Sequence, residues 1–201
     1  SGMPSRWNNK EMYQNKFSKV IGDEKKFDAS YIIPLAKEVF LWGANYYTNT
    51  LPDAGINGTY YIWDKREDDD GSSFDKMLGT PFEMCWGKKK RGMKFIRMRW
   101  ASFLYGKATD GEASKNRIHP TQKPVALVYW FTNKFSEDNN IILDLFLGSG
   151  STLIAAEKTG RICFGCEIDE KYVDVIVSRY CQYVGNNTIK KNGQEIEWRN
   201  E

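Results

Sequence analysis

The sequence predicts an α/β domain built on a doubly wound, mostly parallel sheet. Three observations carry that expectation. The apolar run Ile141-Ile142-Leu143 stops at Asp144 and turns through Gly148 and Gly150. A second apolar run, 161-RICFGCEID-169, follows after one helical stretch, and a further helical stretch runs from Glu170 to about Val184. Strand, glycine turn, helix, strand and helix make one βαβ unit plus a helix, which implies a right-handed crossover and parallel strands.

Taken in order, the chain begins with Ser1-Gly2, which reads as a cloning scar and makes Met3 the native start. Residues 1–26 are polar without a clean period and read as an arm, leaving 27–201 as the domain. The stretch 28-DASYIIPLAKEVFLWGANYY-47 predicts a helix capped by Asp28 or Ser30, then a strand over Val39–Trp42. The β-branched and aromatic run 59-TYYIWDK-65 predicts a strand, and 67-EDDDGSS-73 an acidic loop. Pro81–Trp86 reads as another strand, 106–117 as a loop, and Val125–Phe135 as a helix. Beyond them come the strand Ile141–Phe146, the helix Ser151–Thr159 and the strand Arg161–Glu167. No internal repeat is visible.

Bulk composition sets outer bounds. A chain of 201 residues suits one domain with a sizeable core. Seven tryptophans, eleven tyrosines and eleven phenylalanines serve either core packing or a base-stacking surface. A net charge of +3 is too small to argue for a partner by itself, so the distribution must do so. Cys163 and Cys166 have C-x-x-C spacing, yet no second pair or nearby histidine completes a metal site, so no metal ligand is assigned. The four cysteines read as thiols suited to a reducing cytoplasm. No signal peptide is visible, and no apolar stretch approaches the roughly 18–20 residues of a membrane span.

The turn 144-DLFLGSGST-152 is built to hold something. In a doubly wound sheet the first strand ends at the crevice where a nucleotide lies, and glycines let the backbone approach it. An acid at the end of the second strand can accept the ribose hydroxyl protons, and Glu167 and Asp169 stand there. A P-loop is excluded because no lysine follows Gly150. The dinucleotide pattern G-x-G-x-x-G is not met, and Asp144 would crowd a pyrophosphate. S-adenosylmethionine carries no phosphate, and its amino and sulfonium groups are cationic, so an acidic strand end favours it.

HPTQKP at 119–124, then DLFLGSGST, then GCEID resemble the amino-group DNA methyltransferases, which modify adenine N6 or cytosine N4 and are often phage-encoded or part of restriction-modification. The order of motifs is similar to the class called beta, and WGANYY, YYIWDKR and FEMCWG look like its intermediate strands. The resemblance covers about Phe27 to Tyr183. It implies a Rossmann-like S-adenosylmethionine-dependent methyltransferase fold, with target reading in 66–118 and cofactor binding in 119–184. It also implies that Asp144, Phe146, Gly148, Ser149, Gly150 and Thr152 line the methionine end of S-adenosylmethionine, and that Glu167 binds the ribose. His119, Pro120, Thr121, Gln122, Lys123 and Pro124 would close the other side. The basic run Lys88, Lys89, Lys90, Arg91, Lys94, Arg97 and Arg99 would meet phosphates of double-stranded DNA. The expected location is the cytoplasm of a bacterial or phage-infected cell.

One departure stands out. The family carries [DNS]-P-P-[YFW] at the end of a central strand. There a side-chain oxygen and a proline carbonyl accept the amine protons, and the aromatic ring stacks on the flipped base. This sequence has no Pro-Pro pair, and no Pro-Cys of the cytosine-C5 enzymes. Asp23, Asp53 and Asp64 lie near strand ends without the flanking prolines, so no catalytic residue is assigned. The sheet is expected to lack one central strand, between Ile141–Phe146 and Val39–Trp42. A second polypeptide or second copy could supply it, the residues near Met3 could fill the gap, or the chain could be a remnant that binds without catalysis.

Overall fold

The computed structural model describes residues 20–22, 24–66, 80–98 and 118–199. The arm up to residue 19, Asp23, the acidic loop at 67–73, Arg99 and the loop at 106–117 lie outside the described residues. The chain divides into two units, Ser1–Ala101 and Ser102–Glu201.

The first unit is built on a four-stranded sheet of β1 (Phe40–Trp42), β2 (Thr59–Asp64), β3 (Phe82–Gly87) and β4 (Lys94–Arg97), in the order β1-β3-β2-β4. β3 runs antiparallel to β1 and β2, whereas β2 and β4 are parallel. Alternation along β2 buries Thr59, Tyr61 and Trp63, which join Cys85 and Trp86 of β3 in the core. Gly58 is required here by space, since a Cβ would sit 2.1 Å from Trp86 Nε1.

The helix expected after Asp28 does not form. Asp28 does accept the Ser30 N–H at 2.9 Å, but only a single 3-10 turn, Ile33–Leu35, follows, and Ala36 is already extended. Pro34 lacks a donor, and Lys88 Nζ donates to the carbonyls of Ile33 at 2.9 Å and Ala36 at 2.8 Å. Those carbonyls are satisfied by an ammonium rather than by a continuing helix, and the chain straightens into β1.

The second unit contains α1 (Val125–Phe135), β5 (Ile141–Asp144), α2 (Ser151–Lys158), β6 (Ile162–Gly165) and α3 (Glu170–Val184). A hairpin of β7 (Thr188–Lys191) and β8 (Gln194–Glu197) follows. β5 and β6 pair in parallel with Ile141 opposite Ile162 and Asp144 opposite Gly165, α2 forming the crossover. Val125, Ile154 and Ala155 knit α1 to α2, with Val128 and Tyr129 packed against them. Arg161, with 7% of its side chain exposed, donates to Ser136 Oγ at 3.1 Å, Ser136 O at 2.7 Å and Asp138 at 2.9 Å, fastening the end of α1 to the start of β6. α3 starts where Asp169 caps the Lys171 N–H at 3.0 Å and stops at left-handed Gly185.

Among the described residues, β1 has a ladder partner on one side only, and so does β5. Ile141, Leu143, Ile162 and Phe164 share one face of the β5–β6 pair and are all exposed. No described helix is long and apolar enough to cross a membrane.

Candidate functional site

The site grows from the end of β5. Asp144 is held in place by accepting the Phe146 N–H on Oδ1 at 3.0 Å and the Thr152 hydroxyl on Oδ2 at 2.6 Å. The chain then turns through Gly148 (φ 55°) and Gly150 (φ 80°), both in the left-handed region that glycine reaches without strain. Gly150 N–H closes the turn on Leu147 O at 2.8 Å, and Leu147 N–H reaches Cys166 O at 2.9 Å. The turn is thus tied to the end of β6 as well as to α2.

Glu167 supplies the tie on the other side. Its Oε2 accepts the Gly148 N–H at 2.7 Å, and its Oε1 accepts those of Ile168 and Asp169, each at 2.9 Å. A carboxylate has about four acceptor positions, so among the described residues one on Oε2 remains for a hydroxyl. Asp144 keeps two by the same reckoning among the described residues.

The segment 119–124 folds against this turn. His119 is buried, and its ring lies 3.6 Å from where a Cβ of Gly148 would stand. Its Nδ1 lies 3.2 Å from the Thr121 backbone N–H, which donates to it, and 3.1 Å from the Thr121 hydroxyl. Gln122 is buried and accepts the Ile118 N–H at 3.1 Å, and Ser151 donates to Lys123 O at 2.7 Å. Pro124 caps α1 from a fully buried position. The segment from His119 to Pro124, the turn from Asp144 to Thr152 and Glu167 therefore lie together within this unit. Burial first, then the carboxylates of Asp169 and Glu167, pushes the Tyr172 hydroxyl above its usual range. Burial and then Asp144 push the Cys163 thiol up to about 11, which keeps this half-buried thiol protonated.

Sequence reasoning missed the contribution of α3. Tyr172 meets the His119 ring edge-on at 4.3 Å between centroids, and Ile176 Cγ2 lies 3.1 Å from where a Gly150 Cβ would be. Arg179 donates to the Ser149 carbonyl. Spacings of four and three residues place all three on one helix face, the signal that could have found them.

The basic run of the first unit divides. Lys88 is occupied by the carbonyls of Ile33 and Ala36, while Lys89 and Arg91 both reach Glu38 Oε1 at 2.6 Å. Burial acts against the Glu38 charge, but those two cations hold its carboxyl below the usual range. Lys90 and Lys94 are exposed, and Arg97 pairs with Asp64 at 3.0 Å. Asp64 is buried under Arg66 and Arg97, and Asp53 lies in a left-handed kink at φ 48°, so neither resembles an open catalytic acid.

A DNA methylase family model of the N6/N4 type matches residues 7–178. The chain is 34% identical over 152 residues to the type II methyltransferase M.HinfI of Haemophilus influenzae, a match covering 68% of this chain and 41% of that protein. It is 38% identical over 78 residues to the type II methyltransferase M.ScaI of Streptomyces caespitosus, covering 37% of this chain and 26% of the relative. The chain thus spans less than half the length of these curated relatives. Among solved structures, that of M1.HpyAVI aligns with a TM-score of 0.51 at 18% identity, covering 76% of this chain and 78% of the other, which shows a shared fold. With the family model matching most of its length, the chain belongs to the N6/N4 DNA methylase family.

Proposed function

We propose that this chain carries the S-adenosylmethionine-binding part of a DNA methyltransferase acting on the exocyclic amine of adenine N6 or cytosine N4. The observation that carries the reading is the convergence of Asp144, the glycine turn, Glu167 and His119–Pro124 within one unit. The donor set fits that group: two carboxylates with acceptor positions to spare, and no lysine after Gly150 to attract a phosphate. Glu167 would accept a ribose hydroxyl, and Asp144 would face the cationic methionine end. Gly148, Ser149 and Gly150 bring backbone close, Phe146 and Thr152 complete the turn side, and His119, Thr121, Gln122 and Lys123 form the opposite wall. When bound, S-adenosylmethionine supplies an electrophilic methyl group. The residues of this pocket orient it and leave the amine to be activated elsewhere.

That activation needs a side-chain oxygen and a proline carbonyl as acceptors, and none of the 201 residues forms the Pro-Pro motif. The reading therefore assigns the motif-bearing strand to polypeptide outside this sequence, joined to it or separate. Its support is that, among the described residues, β5 has a ladder partner on one side only, and that Ile141, Leu143, Ile162 and Phe164 form an exposed apolar face. Unpaired strand edges and bare apolar faces are costly unless covered. Exposed Lys90 and Lys94 supply the phosphate contacts to double-stranded DNA, and the working place is the cytoplasm of a bacterial or phage-infected cell.

Calorimetry with S-adenosylmethionine and NAD tests the cofactor, and tighter NAD binding refutes the reading. Tritium transfer from labelled S-adenosylmethionine to DNA tests the chemistry. Little or no transfer is expected from these 201 residues alone, and sustained turnover would place the amine acceptors within them. The absent Pro-Pro motif also favours a second reading, a DNA- or partner-binding remnant. No transfer after a motif-bearing strand is restored would support it.

A further inference from the structure

We propose that Arg179 is a positioning residue for this pocket: from α3 its guanidinium holds the Ser149–Gly150 peptide in the orientation that ligand binding requires. The inference rests on the cofactor reading above. The peptide is fixed at both ends, its carbonyl accepting from Arg179 Nη1 and its N–H donating to Leu147 O at 2.8 Å. The turn cannot fix it unaided. Gly150 has φ 80°, glycine adopts both signs of φ at similar cost, and a peptide flanked by glycine can rotate. Rotation would break both of these bonds and reshape the backbone turn that lines the pocket. A charge-assisted bond to the carbonyl resists that exchange.

Its neighbours on the same helix face brace the rest of the pocket. Ile176 packs under Gly150, leaving no room for a Cβ without movement, and Tyr172 supports the His119 ring. α3 thus grips both walls, the turn through Arg179 and Ile176 and the 119–124 segment through Tyr172. Arg179 lies one residue past the matched family segment, which ends at residue 178.

The test compares the full chain with Arg179→Met and Arg179→Lys. Calorimetry should show Arg179→Met binding S-adenosylmethionine roughly tenfold more weakly, the scale of one charge-assisted hydrogen bond. Adenosine, held from the Glu167 side, should change by no more than about twofold on the same scale. Exchange of the Gly150 amide in unliganded protein should speed up in Arg179→Met and recover in part in Arg179→Lys. Unchanged S-adenosylmethionine affinity in Arg179→Met overturns the proposal. So does a parallel loss for both ligands with unaltered Gly150 exchange, which would mark a general structural role. If wild-type protein fails to bind S-adenosylmethionine, the cofactor reading fails and takes this proposal with it.

Discussion

Replacing Asp64 with asparagine should destabilise the first unit far more than an isosteric change on a surface would. Its side chain is fully buried and accepts hydrogen bonds from Arg66 Nε at 2.9 Å, Arg66 Nη2 at 3.2 Å, the Arg66 N–H at 3.0 Å and Arg97 Nε at 3.0 Å. Asparagine keeps one acceptor oxygen. Its amide nitrogen would then face Arg66 Nη2 and Arg97 Nε, donor against donor. Two charge-assisted bonds are lost, each worth about 1.5–3 kcal/mol, and the 40% exposure of the Arg97 side chain lowers the sum to roughly 3 kcal/mol. For a unit of about 100 residues that corresponds to a fall in Tm of about 10 °C or more. Urea unfolding followed by tryptophan fluorescence would read the difference, since Trp63 and Trp42 pack edge-on in this unit. Burial opposes the charge on Asp64, yet the bonds from Arg66 and Arg97 prevail and hold its carboxyl below the ordinary value of 3.8. The stabilisation is therefore present in full above pH 3.8 and is lost as pH falls through the depressed folded value. The gap between wild type and variant should be constant near neutrality and close in acid below that point. A variant within about 0.5 kcal/mol of wild type at pH 7, or a gap that persists after protonation, would refute the account of Asp64 as the charged post of this sheet.

Asp144→Ala should abolish S-adenosylmethionine binding by calorimetry while Tm moves by less than about 5 °C, because among the described residues its side chain holds only the Phe146 N–H and the Thr152 hydroxyl. Retained affinity would remove Asp144 from the pocket. Gly58→Ala forces a methyl group against Trp86 Nε1 and should cost about 1–3 kcal/mol in urea unfolding. Joint substitution of Lys90 and Lys94 by alanine should flatten the salt dependence of DNA binding by up to about two in log-log slope, and Lys88→Ala should lower stability instead. Equal effects of Lys88 and Lys90 on DNA affinity would contradict that division.

The second unit was legible because its information is local. Val125–Phe135 is preceded by proline, Glu170–Val184 is capped by Asp169 and ended by Gly185, and both helices have the bounds read from sequence. The first unit was less legible because its charges answer to distant partners. Lys88 caps carbonyls more than fifty positions away, and Glu38 gathers Lys89 and Arg91, so a run that reads as a single basic face is partly internal. The expected helix from Asp28 failed for the same reason, a long-range ammonium outcompeting local propensity. The β7–β8 hairpin was missed although Asn192-Gly193, at φ 52° and 82°, is a strong turn signal between alternating residues.

The spacing of the motifs has a geometric origin that explains why it could be read at all. From Pro124 the chain runs out along α1, whose 11 residues span about 16 Å, and returns along β5 and its lead-in, four paired residues adding about 13 Å. Outward and return paths nearly match, so Asp144 arrives beside the segment it left. The next excursion repeats this. α2 covers about 12 Å in 8 residues and β6 about 13 Å in 4, ending with Gly165 in register with Asp144 and Glu167 two residues on. Each helix-and-strand loop therefore returns to the same end of the sheet, and chemistry placed at its ends converges whatever the surface residues between. An insertion within a helix would displace the next motif by 1.5 Å per residue and rotate it by about 100°, whereas the loop at 136–140 can lengthen without moving either end. Pocket assembly in this unit is thus a consequence of matched lengths, and the lengths of α1 and β5 are as much a part of the site as the residues that line it.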